Sequence, residues 1–150
     1  MDIARFEFLK NDFSKGFITF CGIEATNVNF GKFESRLHIK NNHLQQDGFV
    51  HAGLISTMAD HTAGYAAYTT VETGYRILTV EFKINFMKPA KGNLIICRSN
   101  VISNGKMIKV VESDVYAING THEKHVSKGM FTMISVTRLQ DNDKAGDEKV

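Results

Sequence analysis

His51-Ala52-Gly53-Leu54-Ile55-Ser56-Thr57-Met58-Ala59-Asp60, continued by His61-Thr62-Ala63-Gly64-Tyr65-Ala66-Ala67-Tyr68-Thr69-Thr70, is the long helical candidate of this chain. A turn of about 100° per residue puts Leu54, Ile55, Met58 and Tyr65 on one side. It gathers Gly53, Ser56, Thr57, Asp60, Ala63, Gly64 and Ala67 on the other, a stripe of small residues around a single carboxylate. A helix with so little charge does not lie on a wet surface. It has to be wrapped by other elements, and its small face lets something large pack close.

The wrapping is read on both sides of it. Over residues 77–87, Leu78, Val80, Phe82, Ile84 and Phe86 alternate with Thr79, Glu81, Lys83 and Asn85, the period of a half-buried strand. Pro89 stops that strand, Gly92 opens another over 94–102, and Ser103-Asn104-Gly105 turns the chain. Strands over 107–119 and 124–137 follow around Asn119-Gly120, and connections this short make the meander antiparallel. Upstream, Asn29-Phe30-Gly31-Lys32 predicts a hairpin of 18–28 and 32–39. Ile3, Phe6, Leu9 and Phe13 predict a short amphipathic helix over 3–13, with Asp2 as N-cap, that docks as a lid. The expectation is an α+β fold. One domain, 1–137, holds an antiparallel sheet of five or six strands curled around the central helix, and 138–150 is a polar, frayed tail.

Composition narrows the function. Eighteen Lys and Arg against 16 Asp and Glu leave +2, too little for the basic footprint of a nucleic-acid binder. Cys21 and Cys97 belong to no metal-ligand spacing or disulfide framework and read as buried free thiols. The N-terminus has no apolar signal core and no segment reaches the ~18 apolar residues of a membrane span, which predicts a cytoplasmic protein with no membrane partner.

Asp60 is the residue to explain, because a carboxylate nine positions into a buried helix is past the capping turn and costs desolvation energy unless paired or used. It is either a structural group bonded to Ser56, Thr57 or a strand amide, or a general base or nucleophile in a cleft. The helix start offers a second part. The N–H groups of His51, Ala52 and Gly53 lack internal helix partners and, preceded by Gln45-Gln46-Asp47-Gly48-Phe49-Val50, can polarise a carbonyl oxygen. Ala52 and Asp60 are ~12 Å apart along the axis at 1.5 Å per residue, too far to meet one reacting carbonyl. Two copies with these helices antiparallel along their small faces would bring the amide of one to the carboxylate of the other, twice. The stripe predicts a dimer.

The run from His51 to Asp60, followed by Phe86-Met87-Lys88-Pro89-Ala90-Lys91-Gly92, resembles the hot-dog-fold acyl-CoA thioesterases of the PaaI-like and 4-hydroxybenzoyl-CoA thioesterase group. The resemblance spans about residues 18–137. It implies that Asp60 is the catalytic carboxylate, as nucleophile or as base toward water, and that the Ala52 backbone amide is the oxyanion donor, at a position usually Gly. It further implies that the Gln45 side chain assists at the carbonyl, that Thr79 positions water, and that His51 is the helix-start histidine. Gly53, Lys88 and Lys106 complete the candidate substrate contacts, with Lys91 and Arg98 as further cations for the phosphates of coenzyme A. His61 points about 100° away from Asp60 and reads as a packing contact. His122 and His125 lack companion ligands, so no metal is expected, and no cofactor. The implied reaction is hydrolysis of an acyl-CoA thioester in a homodimer or dimer of dimers. Two alternatives stand beside it: a non-catalytic acyl-CoA-binding or regulatory domain, and a hydratase or dehydratase, whose Asp-x4-His loop this sequence does not show.

Overall fold

A computed structural model of the chain describes residues 3–137, so Asp2 and the tail 138–150 lie outside the described residues. Helix α1 (Ile3–Phe13) and a five-residue helix α2 (Phe17–Cys21) precede the hairpin β1 (Ile23–Asn29) and β2 (Lys32–His38). A 3-10 turn (Asn41–His43) leads to the long helix α3 (Ala52–Tyr68), followed by β3 (Tyr75–Phe86), β4 (Leu94–Asn104), β5 (Ile108–Asn119) and β6 (His122–Thr137). The strands form one antiparallel six-stranded sheet in the order β1-β2-β4-β5-β6-β3, packed around α3.

Alternation along the strands builds the concave face. On β5, Lys109, Val111, Ser113, Val115 and Ala117 are buried, while their neighbours point outward. Toward them α3 turns Ile55, Met58, Ala59, Thr62, Ala63, Ala66 and Ala67. Small side chains on both surfaces let the helix sit close to the sheet, and the buried hydroxyls among them need partners. Ser113 donates to the Ala59 carbonyl (3.1 Å) and Thr62 to that of Met58 (2.6 Å). A hydroxyl has one hydrogen, so Ser99 must donate to Ser113 (2.7 Å) and Ser35 to Thr62 (2.6 Å). This seam ties β2, β4 and β5 to the middle of α3, and its Ser113 end holds the carbonyl of the peptide group whose nitrogen is Asp60's.

Three expectations need correction. Residues 17–21 form a helical turn rather than the start of a strand. Gly22, at φ +77, takes the left-handed conformation that closes the turn, donating back to Ile18 and Thr19. Ala63 and Ala67 leave the small stripe and pack fully buried on the chain's own sheet, so the outward stripe is Gly53, Ser56, Thr57, Asp60 and Gly64. The third concerns β3, whose regular alternation predicts one buried face. It is instead the sheet's edge strand, with Leu78 and Val80 more than half exposed. A bulge at Val80 splits the pattern. Leu78 faces outward beside Ile134, whereas Thr79 pairs with buried Met133 and Phe82 stacks on buried Phe131, so Thr79 shares the helix-facing side with Phe82. Cys21 and Cys97 are buried free thiols, and burial pushes the Cys97 thiol up to about 12. Among the described residues no helix is long and apolar enough to cross a membrane.

Candidate active site

The loop before α3 and the helix start form one unit. Gln45 N–H donates to the Phe49 carbonyl (2.8 Å), Gly48 N–H donates back to Gln45 (3.0 Å), and Gly48 sits at φ +82, which favours glycine. The Asp47 amide donates to Gln45 Oε1, so the NH2 end of the Gln45 side chain is the end left over, with only a 3.4 Å approach to Asp47. At the helix start His51 N–H donates to the His43 carbonyl (2.9 Å), and His51 Nδ1 accepts from Gly53 N–H (2.8 Å). The His51 carbonyl takes the amides of Leu54 and Ile55. Of the three amides expected to face a ligand, His51 and Gly53 are therefore spent. Ala52 N–H is left without an acceptor among the described residues. A side chain at Gly53 would bring its Cβ to 3.0 Å from His51 Nδ1, which is why glycine follows Ala52.

Ala52 and Gln45 line a common cleft of about 330 Å³ whose walls include Phe49, Ile55, Phe86 and Pro89, with Lys88 as its charged residue. No carboxylate lines it. Phe49 is an aromatic wall that sequence spacing did not single out, its only signal being its place four residues after Gln45, whereas Phe86 heads the Phe86–Gly92 run already read from the sequence.

Asp60 is two turns further along α3, half-buried on the outward stripe rather than deep inside, because the described residues cover that side of the helix only in part. Thr79 Oγ1 donates to Asp60 Oδ1 (2.7 Å) and lies 3.4 Å from Met133 Sδ. The bulge at Val80 is what delivers Thr79 to this side. One chain thus brings together Asp60 with Thr79, and Ala52 with Gln45 and Lys88, as two separate groups, while His51 and Gly53 line a different cavity beside Phe17, Phe20 and Leu54.

The remaining candidates are placed as follows. His61 Nε2–H donates to the Phe13 carbonyl (3.0 Å) and its ring packs on Phe13 and Tyr65, so it holds α1 against α3, and burial lowers its pKa. Tyr65 donates to Asp12 Oδ2 (2.9 Å); burial opposes ionisation of Asp12, but Lys15 and Tyr65 bonding to it hold its pKa below the usual value. Arg98 is engaged by Glu34 and Glu123, and His125 Nε2 lies 2.8 Å from Asp114 while its ring stacks on Tyr116. Lys106 lines a different cavity, past the C-terminal end of α3.

A family profile described as the thioesterase superfamily matches residues 47–123, just over half of the chain, and takes in Ala52, Asp60, Thr79 and Lys88 but not Gln45. The chain belongs to this superfamily. Its fold is the hot-dog fold, and the family is one of thioester hydrolases. A thioesterase family protein from Silicibacter pomeroyi superposes with a TM-score of 0.84 at 29% identity, covering 87% of this chain and 96% of that one. A protein of Saccharolobus solfataricus with a provisional esterase name is 31% identical over 99 residues, 65% of this chain and 64% of the relative, so the match spans just under two thirds of that relative's length. Human acyl-coenzyme A thioesterase 13 is 28% identical over 104 residues, 64% of this chain and 74% of its own.

Proposed function

We propose that this thioesterase-superfamily chain hydrolyses acyl-CoA thioesters as a homodimer, or a dimer of such dimers, with each reaction centre shared between two copies. One observation carries the reading. The cleft lined by Ala52, whose N–H is unspent, and by the Gln45 carboxamide holds no carboxylate, while Asp60, held by Thr79, stands ~12 Å away along the helix on a half-buried stripe. Antiparallel apposition of two α3 stripes brings the partner's carboxylate to the first copy's cleft.

In that arrangement the thioester oxygen meets Ala52 N–H and the Gln45 NH2, which stabilise the charge that develops there. Asp60 of the second copy either takes a proton from the attacking water and passes it to the departing thiolate of coenzyme A, or attacks the carbonyl itself, expelling the thiolate and forming an anhydride. Water then splits that anhydride, giving the free acid, the carboxylate and the proton for the thiol. Thr79 fixes the carboxylate, leaving Oδ2 for that work. Two further features favour a partner on this side: nothing lies within 4 Å of a Cβ built on Gly64, and the free edge of β3 exposes Leu78, Val80 and Phe82.

The test is release of free thiol from a panel of short, medium, long and aromatic acyl-CoAs, run beside a binding measurement, on wild type and Asp60→Asn. Wild type is expected to release thiol from at least one substrate, and D60N to bind it with most turnover gone. Binding without thiol release by wild type would favour the non-catalytic domain. Full activity of D60N on every substrate would remove Asp60 from the mechanism.

A further inference from the structure

Among the described residues Lys109 is the only lysine, arginine, aspartate or glutamate that is buried, at 2% exposure. It opens β5 on the concave face, paired with Met133, which in turn pairs with Thr79. Two strand spacings, ~10 Å, separate it from Thr79. Its Nζ donates to the Gly105 carbonyl (2.8 Å), and no carboxylate of the described residues is within ion-pair distance. An ammonium carries three donors, and a buried charge is ordinarily paired. Burial lowers its pKa, the sign expected where no counter-charge offsets desolvation.

The helix end does not use this ammonium. The last carbonyls of α3 are taken by the amides of Thr69, Thr70 and Val71 and by the hydroxyls of Thr69 and Thr70. Lys109 instead lines a cavity of about 260 Å³ with Lys106, Asn104, Tyr75, Ser135 and Glu72. The Ser135 hydroxyl faces the Lys106 and Met107 carbonyls, so the side-chain donors that line the space include those of Lys109, Lys106, Asn104 and the Tyr75 hydroxyl. Two ammoniums against one carboxylate leave the cavity net positive.

We propose that this cavity is an oxyanion site for a phosphate group, with Lys109 as its buried anchor and Lys106 and Asn104 at its mouth. Phosphate matches an ammonium with donors to spare, whose cost of burial an anion offsets. The group can arrive as free phosphate or on the nucleotide end of coenzyme A. The site stands on this geometry whether or not the chain hydrolyses thioesters.

Thermal unfolding of the full chain tests it, in sodium phosphate kept at low millimolar concentration, where the general stabilising effect of phosphate by surface exclusion is negligible, and in sodium chloride of matched ionic strength. Ligand binding to the folded state alone raises Tm with concentration, so wild type is expected to unfold higher in phosphate. Lys109→Met should abolish that difference. In chloride it should unfold no lower than wild type, because removing an uncompensated buried charge in favour of an apolar side chain of similar length is neutral or stabilising. Lys106→Met, at the exposed rim, should weaken the phosphate response without touching the core, and serves should K109M fail to fold. A larger shift with adenosine 3′,5′-bisphosphate than with equimolar phosphate assigns the site to the coenzyme's nucleotide; an equal or smaller one assigns it to free phosphate. Equal Tm of wild type in phosphate and chloride, or a phosphate response retained by both variants, overturns the proposal. A fall in Tm of K109M in chloride with no phosphate response in wild type would make Lys109 a pin for the Gly105 loop.

Discussion

Replacing Ala52 by proline removes one hydrogen and little else. Ala52 is the first residue of α3, where proline's missing N–H and fixed φ are tolerated, and its amide has no acceptor among the described residues to lose. The residue before a proline must be extended, and His51 already is, at φ −62 and ψ 132. The fold should therefore survive with a Tm close to wild type. Catalysis should not, since loss of one oxyanion donor typically costs ~10²–10³ in kcat, about 2.7–4 kcal/mol of transition-state stabilisation. The proline ring also adds bulk at that point of the cleft, so Ala52→Gly is the control: it keeps the N–H, adds room, and should stay near wild-type kcat. Steady-state thiol release on the best acyl-CoA, with thermal unfolding alongside, reads all of this. A folded A52P enzyme with wild-type kcat would refute the assignment of this amide.

Four other outcomes follow from the same geometry. Thr79→Val deletes the 2.7 Å bond to Asp60, and kcat should fall about tenfold, the ~1.5 kcal/mol worth of a hydrogen bond to a charged group, while KM for the same acyl-CoA holds. Ser113→Ala leaves Ser99 without its acceptor and should lower stability by ~1–3 kcal/mol in urea titration. A Cβ at Gly64 meets nothing within 4 Å among the described residues, and Gly64→Leu should disrupt the dimer, seen by sedimentation as dissociation at concentrations where wild type stays paired. Burial lowers the pKa of both His61 and His43 from the ordinary 6.5. The unfolded chain then binds more protons below that value, so stability from these two is full above about pH 6.5 and is lost as pH falls toward their folded values. His61→Gln should flatten part of that slope in urea midpoints measured between pH 7 and 5.

The long helix, the meander and its turns were legible because each had a clean period bounded by glycine, proline or Asn-Gly. What escaped the sequence were local breaks in period. Residues 17–21 carry strand-forming side chains, but flanking Gly22 in a left-handed conformation turns them into a helix. The bulge at Val80 moves Thr79 to the opposite face from the one simple alternation assigns, and an extra residue leaves no mark in a pattern of apolar letters. The helix-start amides looked alike in sequence; only the fold shows that His43 and the His51 ring occupy two of the three. Lys109 was invisible for the opposite reason, since a lysine at a strand end is by default solvated.

Mixing two inactive variants probes the shared centre. Asp60→Asn keeps the amide and Ala52→Pro keeps the carboxylate, so a dimer made of one of each has one complete site and one lacking both parts. After unfolding and refolding an equimolar mixture, half the dimers are mixed, and thiol release should return to about one quarter of wild type. No recovery, with mixed dimers demonstrated by mass, would contradict a reaction centre assembled from two chains.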